Sequence, residues 1–185
     1  MMLLGAEALL GWRTLILGET GKGKSVLLFR ILSSLAESCD TKEITLIDMA
    51  PSRSWGVGGK LSEIGKIPEG VRYYTSWDVT PPRLVGRTAE EVLRLASKNR
   101  ALLEPFVLNY LAEPTPVLMI NDASIYSHVG DPCPLLKALG LAKTWIVTAY
   151  SGERLAEDKG ASVTLAEKRF VNSLIEVADR IIRMG

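Results

Sequence analysis

The chain of 185 residues has few of the side chains that build metal sites and disulfide frameworks. It contains two cysteines, Cys39 and Cys133, and a single histidine, His128. The cysteines are far apart and show no CxxC or Cys/His spacing, which argues against a zinc site. So few cysteines are typical of a reducing compartment, and we therefore expect a cytoplasmic protein.

Long hydrophobic runs and an excess of one charge are also missing. The first ten residues, MMLLGAEALL, are apolar, but they carry Glu7, lack a basic leader and are too short to span a bilayer. We interpret them as a segment that packs on the domain, and we expect no membrane insertion. The formal net charge of +1 predicts no global attraction to nucleic acid or lipid, so any basic site must be local.

Five short apolar runs, separated by helical patterns and turn signals, lead to the fold prediction. They are Thr14–Leu17, Ile44–Ile47, Val117–Ile120, Trp145–Val147 and Arg180–Ile182. This alternation predicts an α/β fold with a mainly parallel, five-stranded sheet. Because the runs are continuous, helices are expected on both sheet faces, which gives three layers, α/β/α. The chain length predicts a single domain over residues 1–185.

Two capping boxes indicate where helices begin. Thr88 is followed by Glu91, and Thr164 is followed by Glu167, each ahead of apolar residues at helical spacing. Pro105 falls inside the first of these helices, where it is expected to kink or restart it.

A glycine-rich segment after the first apolar run matches the pattern G-x-x-x-x-G-K-[ST]. It consists of Gly18, Glu19, Thr20, Gly21, Lys22, Gly23, Lys24 and Ser25. Its glycines allow backbone N–H groups to turn inward around an anion, and the helix that follows adds the positive end of its dipole. The segment is predicted to bind the phosphates of ATP, with Lys24 on the β- and γ-phosphates and Ser25 on Mg²⁺.

The third apolar run leads into an acid, a pattern typical of a Walker B strand. Val117–Ile120 is followed by Asn121 and Asp122. At the carboxyl end of a parallel strand, Asp122 would lie beside the phosphate loop and hold Mg²⁺ through water. Asp48, which ends the second run, is the rival for this role.

In the order of its elements, the chain resembles P-loop ATPases of the RecA/KaiC-like kind. The shared features are the strand, phosphate loop and helix, the strand ending at Asp48, the strand before Asp122, and a strand ending in Thr148. The resemblance implies that Thr148 contacts the γ-phosphate or the attacking water. The N/TKxD signature of most GTPases is absent from the strand ends, which favours ATP over GTP.

One residue of that family pattern is missing. RecA/KaiC-like ATPases usually carry a glutamate that polarises the attacking water, either just after the Walker B aspartate or at the end of the second strand. This sequence has Ala123 at the first place and Met49-Ala50 beyond Asp48 at the second. Either Asp48 or Glu19 substitutes, or hydrolysis is slow and the protein works by binding nucleotide.

Residues 51–87 lack clear periodicity and are predicted to be a loop-rich insertion. Six basic residues stand there against three acids, interleaved with Trp55, Tyr73, Tyr74 and Trp77. The composition fits a site for single-stranded nucleic acid, and it equally fits a solvated loop with packed aromatics. The region also distantly resembles that of RNA 5′-hydroxyl kinases, in which Asp48 would activate the acceptor.

The sequence thus predicts a Mg²⁺-dependent ATP-binding protein or ATPase, slow alone and stimulated by self-assembly or a partner. A kinase that phosphorylates a small molecule or a nucleic-acid end is one alternative, and a nucleotide-gated regulatory module with little turnover is another. An arginine from a neighbouring subunit or a partner would complete the site. The candidates in this chain are Arg53, Arg154 and Arg169.

Overall fold

The computed structural model describes residues 5–185, which contain one six-stranded sheet. The strands are β1 Arg13–Gly18, β2 Ile44–Asp48, β3 Arg72–Thr75, β4 Val117–Asn121, β5 Thr144–Tyr150 and β6 Arg180–Met184. Their spatial order is β3-β2-β4-β5-β1-β6, and every neighbouring pair is parallel. The predicted parallel α/β architecture is confirmed, but the predicted number of five strands is wrong.

The additional strand, β3, lies within the segment that was predicted to be a loop-rich insertion. It pairs with β2 from Thr45 opposite Arg72 to Asp48 opposite Thr75. All four of its residues are half-buried, because β3 is an edge strand that the neighbouring layers cover incompletely. Its sequence, RYYT, therefore lacks the continuous apolar run that identified the other strands.

Within residues 5–185, five α-helices accompany the sheet. They are α1 Lys24–Ser38, the single turn α2 Pro82–Val85, α3 Ala89–Ala112, α4 Cys133–Leu141 and α5 Val163–Val177. The apolar stripes of α3, α4 and α5 pack on one face of the sheet, and that of α1 packs on the other. Successive strand residues point to opposite faces, so Leu15 and Leu17 contact the first layer while Ile16 contacts the second. The three-layer prediction is thereby confirmed.

The predicted start of α3 is confirmed, since the Thr88 hydroxyl accepts a hydrogen bond from the backbone N–H of Glu91 at 3.2 Å. The Glu91 carboxylate accepts the N–H of Arg87 rather than closing a box on Thr88. A restart at Pro105 is wrong, because α3 continues through it to Ala112.

The second capping box is also wrong. Helix α5 begins at Val163 after Ser162, whose φ is 61°, and Thr164 already lies inside the helix. Glu167 is buried with other charged partners instead of capping the helix.

Part of the predicted N-terminal packing segment can be followed. Ala6–Leu9 form a 3-10 turn, and Ala6 is buried in the same cluster as Leu32 of α1. Residues 1–4 of that prediction lie outside the described residues. Between residues 5 and 185, no helix combines the length and hydrophobicity that crossing a membrane would require.

Candidate functional site

The candidate site lies where parallel strands end at one edge of the sheet. In such sheets, ligands bind in the crevice beyond the carboxyl ends of the strands. Strand β5 lies between β1 and β4, so the end that carries Thr148 is placed between the phosphate loop and Asp122. The fold thus gathers three predicted features at one place.

The phosphate loop has the backbone conformation that an anion nest requires. Gly21 and Gly23 have φ values of 76° and 81°, which are strained for any other residue, and α1 starts at the next position. Gly18 packs tightly against β6, since a Cβ atom there would lie 2.6 Å from the carbonyl oxygen of Met184. The loop is therefore fixed between the sheet and the amino end of α1.

Lys24 is held close to the loop by its own backbone. Its Nζ donates hydrogen bonds to the carbonyl oxygens of Gly18 at 2.6 Å and Glu19 at 2.7 Å. Burial lowers the pKa of Lys24, and the negative charges of Asp122, Glu19 and Glu167 partly offset this effect. Lys24 is half-buried beside the loop, and its role on the phosphates stays a prediction.

Ser25 contacts a residue that the sequence analysis did not select. Its hydroxyl donates to Oδ1 of Asn121 at 3.0 Å, and the Thr148 hydroxyl donates to the same oxygen at 3.1 Å. The Nδ2 of Asn121 donates to Asp48 at 2.9 Å and to the carbonyl of Gly59 at 3.0 Å. The Walker B pattern points to an acid, and Asn121 was therefore not predicted. Its place as the last residue of β4 is the sequence signal that marks it as a candidate.

Asp122 lies one residue beyond that contact, in a left-handed conformation with φ 58°. Its backbone N–H donates to the Thr148 hydroxyl at 2.8 Å. Within residues 5–185, no protein group donates a hydrogen bond to its carboxylate, and the residue lines the same cavity as Ser25. Burial raises its pKa, and the charge of Lys24 opposes that rise. A metal role for Asp122 stays a prediction.

Asp48 is fully buried, and its carboxylate is occupied by protein donors. Leu61 N–H and Asn121 Nδ2 donate at 2.6 and 2.9 Å, while Ala50 N–H and the Tyr73 hydroxyl donate at 3.3 Å. Burial raises its pKa, and the charge of Lys60 and the hydrogen bonds lower it. Asp48 is not among the residues that line the cavity. The geometry therefore supports a positioning role for it.

Glu19 also has its carboxylate tied to the protein. It accepts hydrogen bonds from the backbone N–H groups of Glu153 and Arg154 and from the Tyr150 hydroxyl. A side chain on Gly152 would collide with this carboxylate. Glu19 thus anchors the segment after β5, and the geometry does not support its use in activating water.

A buried ionic cluster, which the sequence analysis missed, lines the same cavity. Arg83 of α2 donates to both carboxylate oxygens of Glu167, at 2.8 and 3.0 Å, and His128 Nε2 lies 3.1 Å from Oε2. The Arg83 guanidinium also lies 5.4 Å from the centroid of the Tyr150 ring. We call Arg83, His128 and Glu167 the buried triad. His128 is the single histidine of the chain, and this rarity is the sequence signal that could have marked it as a candidate site residue.

Among the predicted arginine candidates, Arg53 lines the cavity, whereas Arg154 and Arg169 do not. Arg83, one of the six basic residues of the segment 51–87, also lines the cavity, although it was not predicted as an arginine candidate. The prediction of a basic nucleic-acid site over residues 51–87 is also weakened. Lys60 is fully buried and donates hydrogen bonds to the carbonyl of Ala50 and the hydroxyl of Thr75.

The cavity that joins these features has a volume of about 260 Å³. Among residues 5–185, no three His, Cys, Asp or Glu side chains converge as a metal cluster. Mg²⁺ in phosphate sites takes one or two protein oxygens together with phosphate and water oxygens, so Ser25 and Asp122 are a sufficient donor set. The residues present therefore fit a nucleotide with its magnesium ion.

The strand order and the backbone of the phosphate loop together define a three-layer α/β/α fold of the P-loop type. No protein-family model and no curated protein matches the chain. Among solved structures, the chain is similar to an ATPase of the type III secretion system of pathogenic bacteria, with a TM-score of 0.47, 15% identity, and 95% of this chain and 52% of that chain covered. It is also similar to the Pif1 helicase of Candida albicans, with a TM-score of 0.41, 17% identity and coverage of 100% and 39%. The chain spans about half the length of these structures or less.

Proposed function

We propose that this chain binds ATP with Mg²⁺ and hydrolyses it slowly. The observation that carries the proposal is the loop Gly18–Ser25, whose positive-φ glycines, half-buried Lys24 and helix start all face one cavity. Backbone N–H groups and Lys24 would hold the phosphates, and Ser25 and Asp122 would hold the metal. Bound Mg²⁺ would supply neutralisation of the charge on the β- and γ-phosphates.

Slow turnover is proposed because neither acid that could replace the family's water-activating glutamate is free to do so. Asn121, the residue that Ser25 contacts, is neutral, and the carboxylates of Glu19 and Asp48 are engaged by protein donors. General-base help is typically worth about 10²–10⁴-fold in rate. If hydrolysis is so slow that only binding matters, the same proposal describes a nucleotide-gated regulatory module with little turnover.

The first prediction tests the phosphate site. Lys24→Ala should abolish ATP binding, because it removes the half-buried cation of the loop, while the sheet and its helices remain. Lys22→Ala is the matched comparison, since Lys22 lies in the same loop but is exposed and should affect affinity far less. Isothermal titration with ATP and Mg²⁺ measures both, with circular dichroism as the control for folding. Wild-type affinity in a folded Lys24→Ala variant would overturn the proposal.

A kinase is the second candidate, favoured by the extension of the cavity beyond the phosphate loop. Its wall continues to Arg53, Val57, Gly58 and Ile64, on the far side from β5, and to Pro82. That part of the cavity would accept a hydroxyl-bearing substrate. ADP formation that depends on an added acceptor and exceeds phosphate release would establish transfer, and equal amounts of the two products would establish hydrolysis.

A further inference from the structure

The buried triad has the features of a built site rather than of a surface ion pair. The side chains of Arg83, His128 and Glu167 are 5%, 2% and 4% exposed. Arg83 additionally donates to the Thr164 hydroxyl at 3.1 Å, so a second residue of α5 also holds the guanidinium. All three members line the cavity that contains Lys24. The triad is not required by the P-loop itself, and its place in the cavity needs an explanation.

One atom of the triad lacks a partner. The Nδ1 of His128 is buried and has no hydrogen-bond partner among residues 5–185. Leaving a buried polar atom unsatisfied costs about 1–3 kcal/mol. Because His128 lines the cavity, a water molecule or a group of the bound ligand is the partner that this atom would take.

The identity of the hydrogen on His128 follows from its partner. Arg83 and His128 lower the pKa of Glu167 below its usual range, against the effect of burial, so the carboxylate is ionised and can only accept hydrogen bonds. His128 must therefore donate from Nε2. In the neutral form of the ring, Nδ1 then carries no hydrogen, and the unpartnered atom is a lone pair able to take a proton.

We propose that His128 is the proton acceptor for the attacking water in ATP hydrolysis, with Glu167 and Arg83 as positioning residues. The inference rests on the proposed function of the phosphate loop. It assigns the missing water-activating role to His128, which lines the cavity, because Glu19 and Asp48 are both occupied by protein donors and Asp122 is proposed to hold the metal.

In the proposed step, the water oxygen bonds to the γ-phosphorus, and the bond from that phosphorus to the β–γ bridging oxygen breaks. The bond electrons leave with ADP. One water proton passes to Nδ1, and the resulting imidazolium is stabilised by the Glu167 carboxylate beside Nε2. The proton then passes to solvent, which restores the neutral imidazole.

The charged groups around His128 come from several elements. Glu167 faces it from α5 and Arg83 reaches it through Glu167 from α2, while Asp122 lies on the same segment of chain. From α3, Arg100 donates to backbone carbonyls on both sides of the histidine. The Glu167 carboxylate therefore holds the imidazole ring, and Arg100 holds the backbone on either side of it.

The test uses a substitution that preserves the contact with Glu167. His128→Gln keeps an amide N–H where Nε2 stands and removes the basic nitrogen. We expect the same affinity for ATP and a loss of turnover of about 10²–10⁴-fold. Ser127→Ala is the matched control, because it removes a buried hydrogen bond to Ser124 in the same turn without touching the triad, and it should retain wild-type turnover.

Two further readouts separate chemistry from structure. Wild-type turnover should fall at low pH as the enzyme takes up one proton. The His128→Gln variant should lack this low-pH limb of the pH profile. Because His128 is the only histidine, ¹⁵N-histidine labelling should show a neutral ring protonated at Nε2, even if the variant fails to fold. A ring protonated at Nδ1, or wild-type turnover in folded His128→Gln, or a limb that Asp122→Asn alone removes, would overturn the inference. Failure of Lys24→Ala to affect binding would instead overturn the proposed function.

Discussion

At the scale of single residues, the contacts of Ser25 define which residue of the β4 end faces the phosphate loop. The hydroxyl of Ser25 meets the amide of Asn121, and Asp122 follows in a left-handed turn with a free carboxylate. The rival acid, Asp48, stands behind Asn121 and accepts its amide hydrogen. The two aspartates therefore differ in what they touch, and this difference can be measured.

The corresponding prediction compares Asp122→Asn with Asp48→Asn. Asp122→Asn should weaken the Mg²⁺ dependence of ATP binding, because it removes the acid that lines the cavity. Asp48→Asn places an amide among four donors and should lower the free energy of unfolding by about 1–3 kcal/mol, with a smaller effect on Mg²⁺. Mg²⁺ titrations of ATP binding and urea unfolding measure the two effects. A larger Mg²⁺ shift in Asp48→Asn would assign the metal role to Asp48.

At the scale of elements, the buried triad joins α2, α5 and the turn after β4. Arg83, Glu167 and His128 come from three separate parts of the chain, and their hydrogen bonds fix these parts around the cavity. Removing one partner of a buried ion pair leaves an uncompensated charge and typically costs about 3–5 kcal/mol. The cluster thus contributes to stability as well as to the proposed chemistry.

This contribution should depend on pH with a definite sign. The folded-state pKa of Glu167 lies below the ordinary value of 4.5, so its stabilisation is complete above that value and is lost as pH falls through the folded-state pKa. Arg83→Met should be strongly destabilised at pH 7. Urea unfolding at pH 7 and below pH 4.5 should show that Glu167→Gln loses part of the acid sensitivity of the wild type.

Glu176→Gln provides the control for that experiment. Glu176 lies on the same helix, α5, but is exposed, so its substitution should leave the pH dependence of unfolding nearly unchanged. Equal acid sensitivity in Glu167→Gln and the wild type would show that the triad does not titrate with folding.

At the scale of the whole molecule, the surface offers several large exposed aromatics. Trp12, Trp55 and Trp77 are 45%, 42% and 59% exposed, and the last two belong to the segment over residues 51–87. Stacking on aromatics is one way in which single-stranded nucleic acid is held, and self-assembly would cover such side chains in another way. Trp55 belongs to the same turn as Arg53, which lines the cavity, so either event at Trp55 would bring new groups to the edge of the cavity.

The prediction at this scale concerns the rate. The isolated chain should hydrolyse ATP slowly, and the rate per chain should rise with protein concentration or with added single-stranded nucleic acid. An arginine supplied in trans is worth roughly 10³–10⁵-fold where it operates. Steady-state phosphate release over a range of concentrations, with and without an oligonucleotide, measures this. Several turnovers per second, independent of concentration and partner, would show that one chain already holds a complete site.

Local sequence determined the phosphate loop and most of the sheet. Gly21, Gly23 and Lys24 act through backbone conformations and contacts within eight consecutive residues, and the buried parallel strands require continuous apolar runs. The edge strand Arg72–Thr75 was not predicted, because its residues are only half-buried and its sequence therefore has no continuous apolar run. Where a feature depends on neighbours in sequence, the sequence was sufficient to predict it.

Only the tertiary structure decided which polar groups meet at the site. Ser25 and Asn121 are 96 residues apart, and Arg83 and Glu167 are 84 apart, so no local spacing brings these pairs together. Strand order and register place Asn121 beside Ser25 and leave Asp122 free, while the helix layer directs Glu167 onto Arg83. Long-range packing therefore set the partners of each charge, and with them the chemistry that the cavity supports.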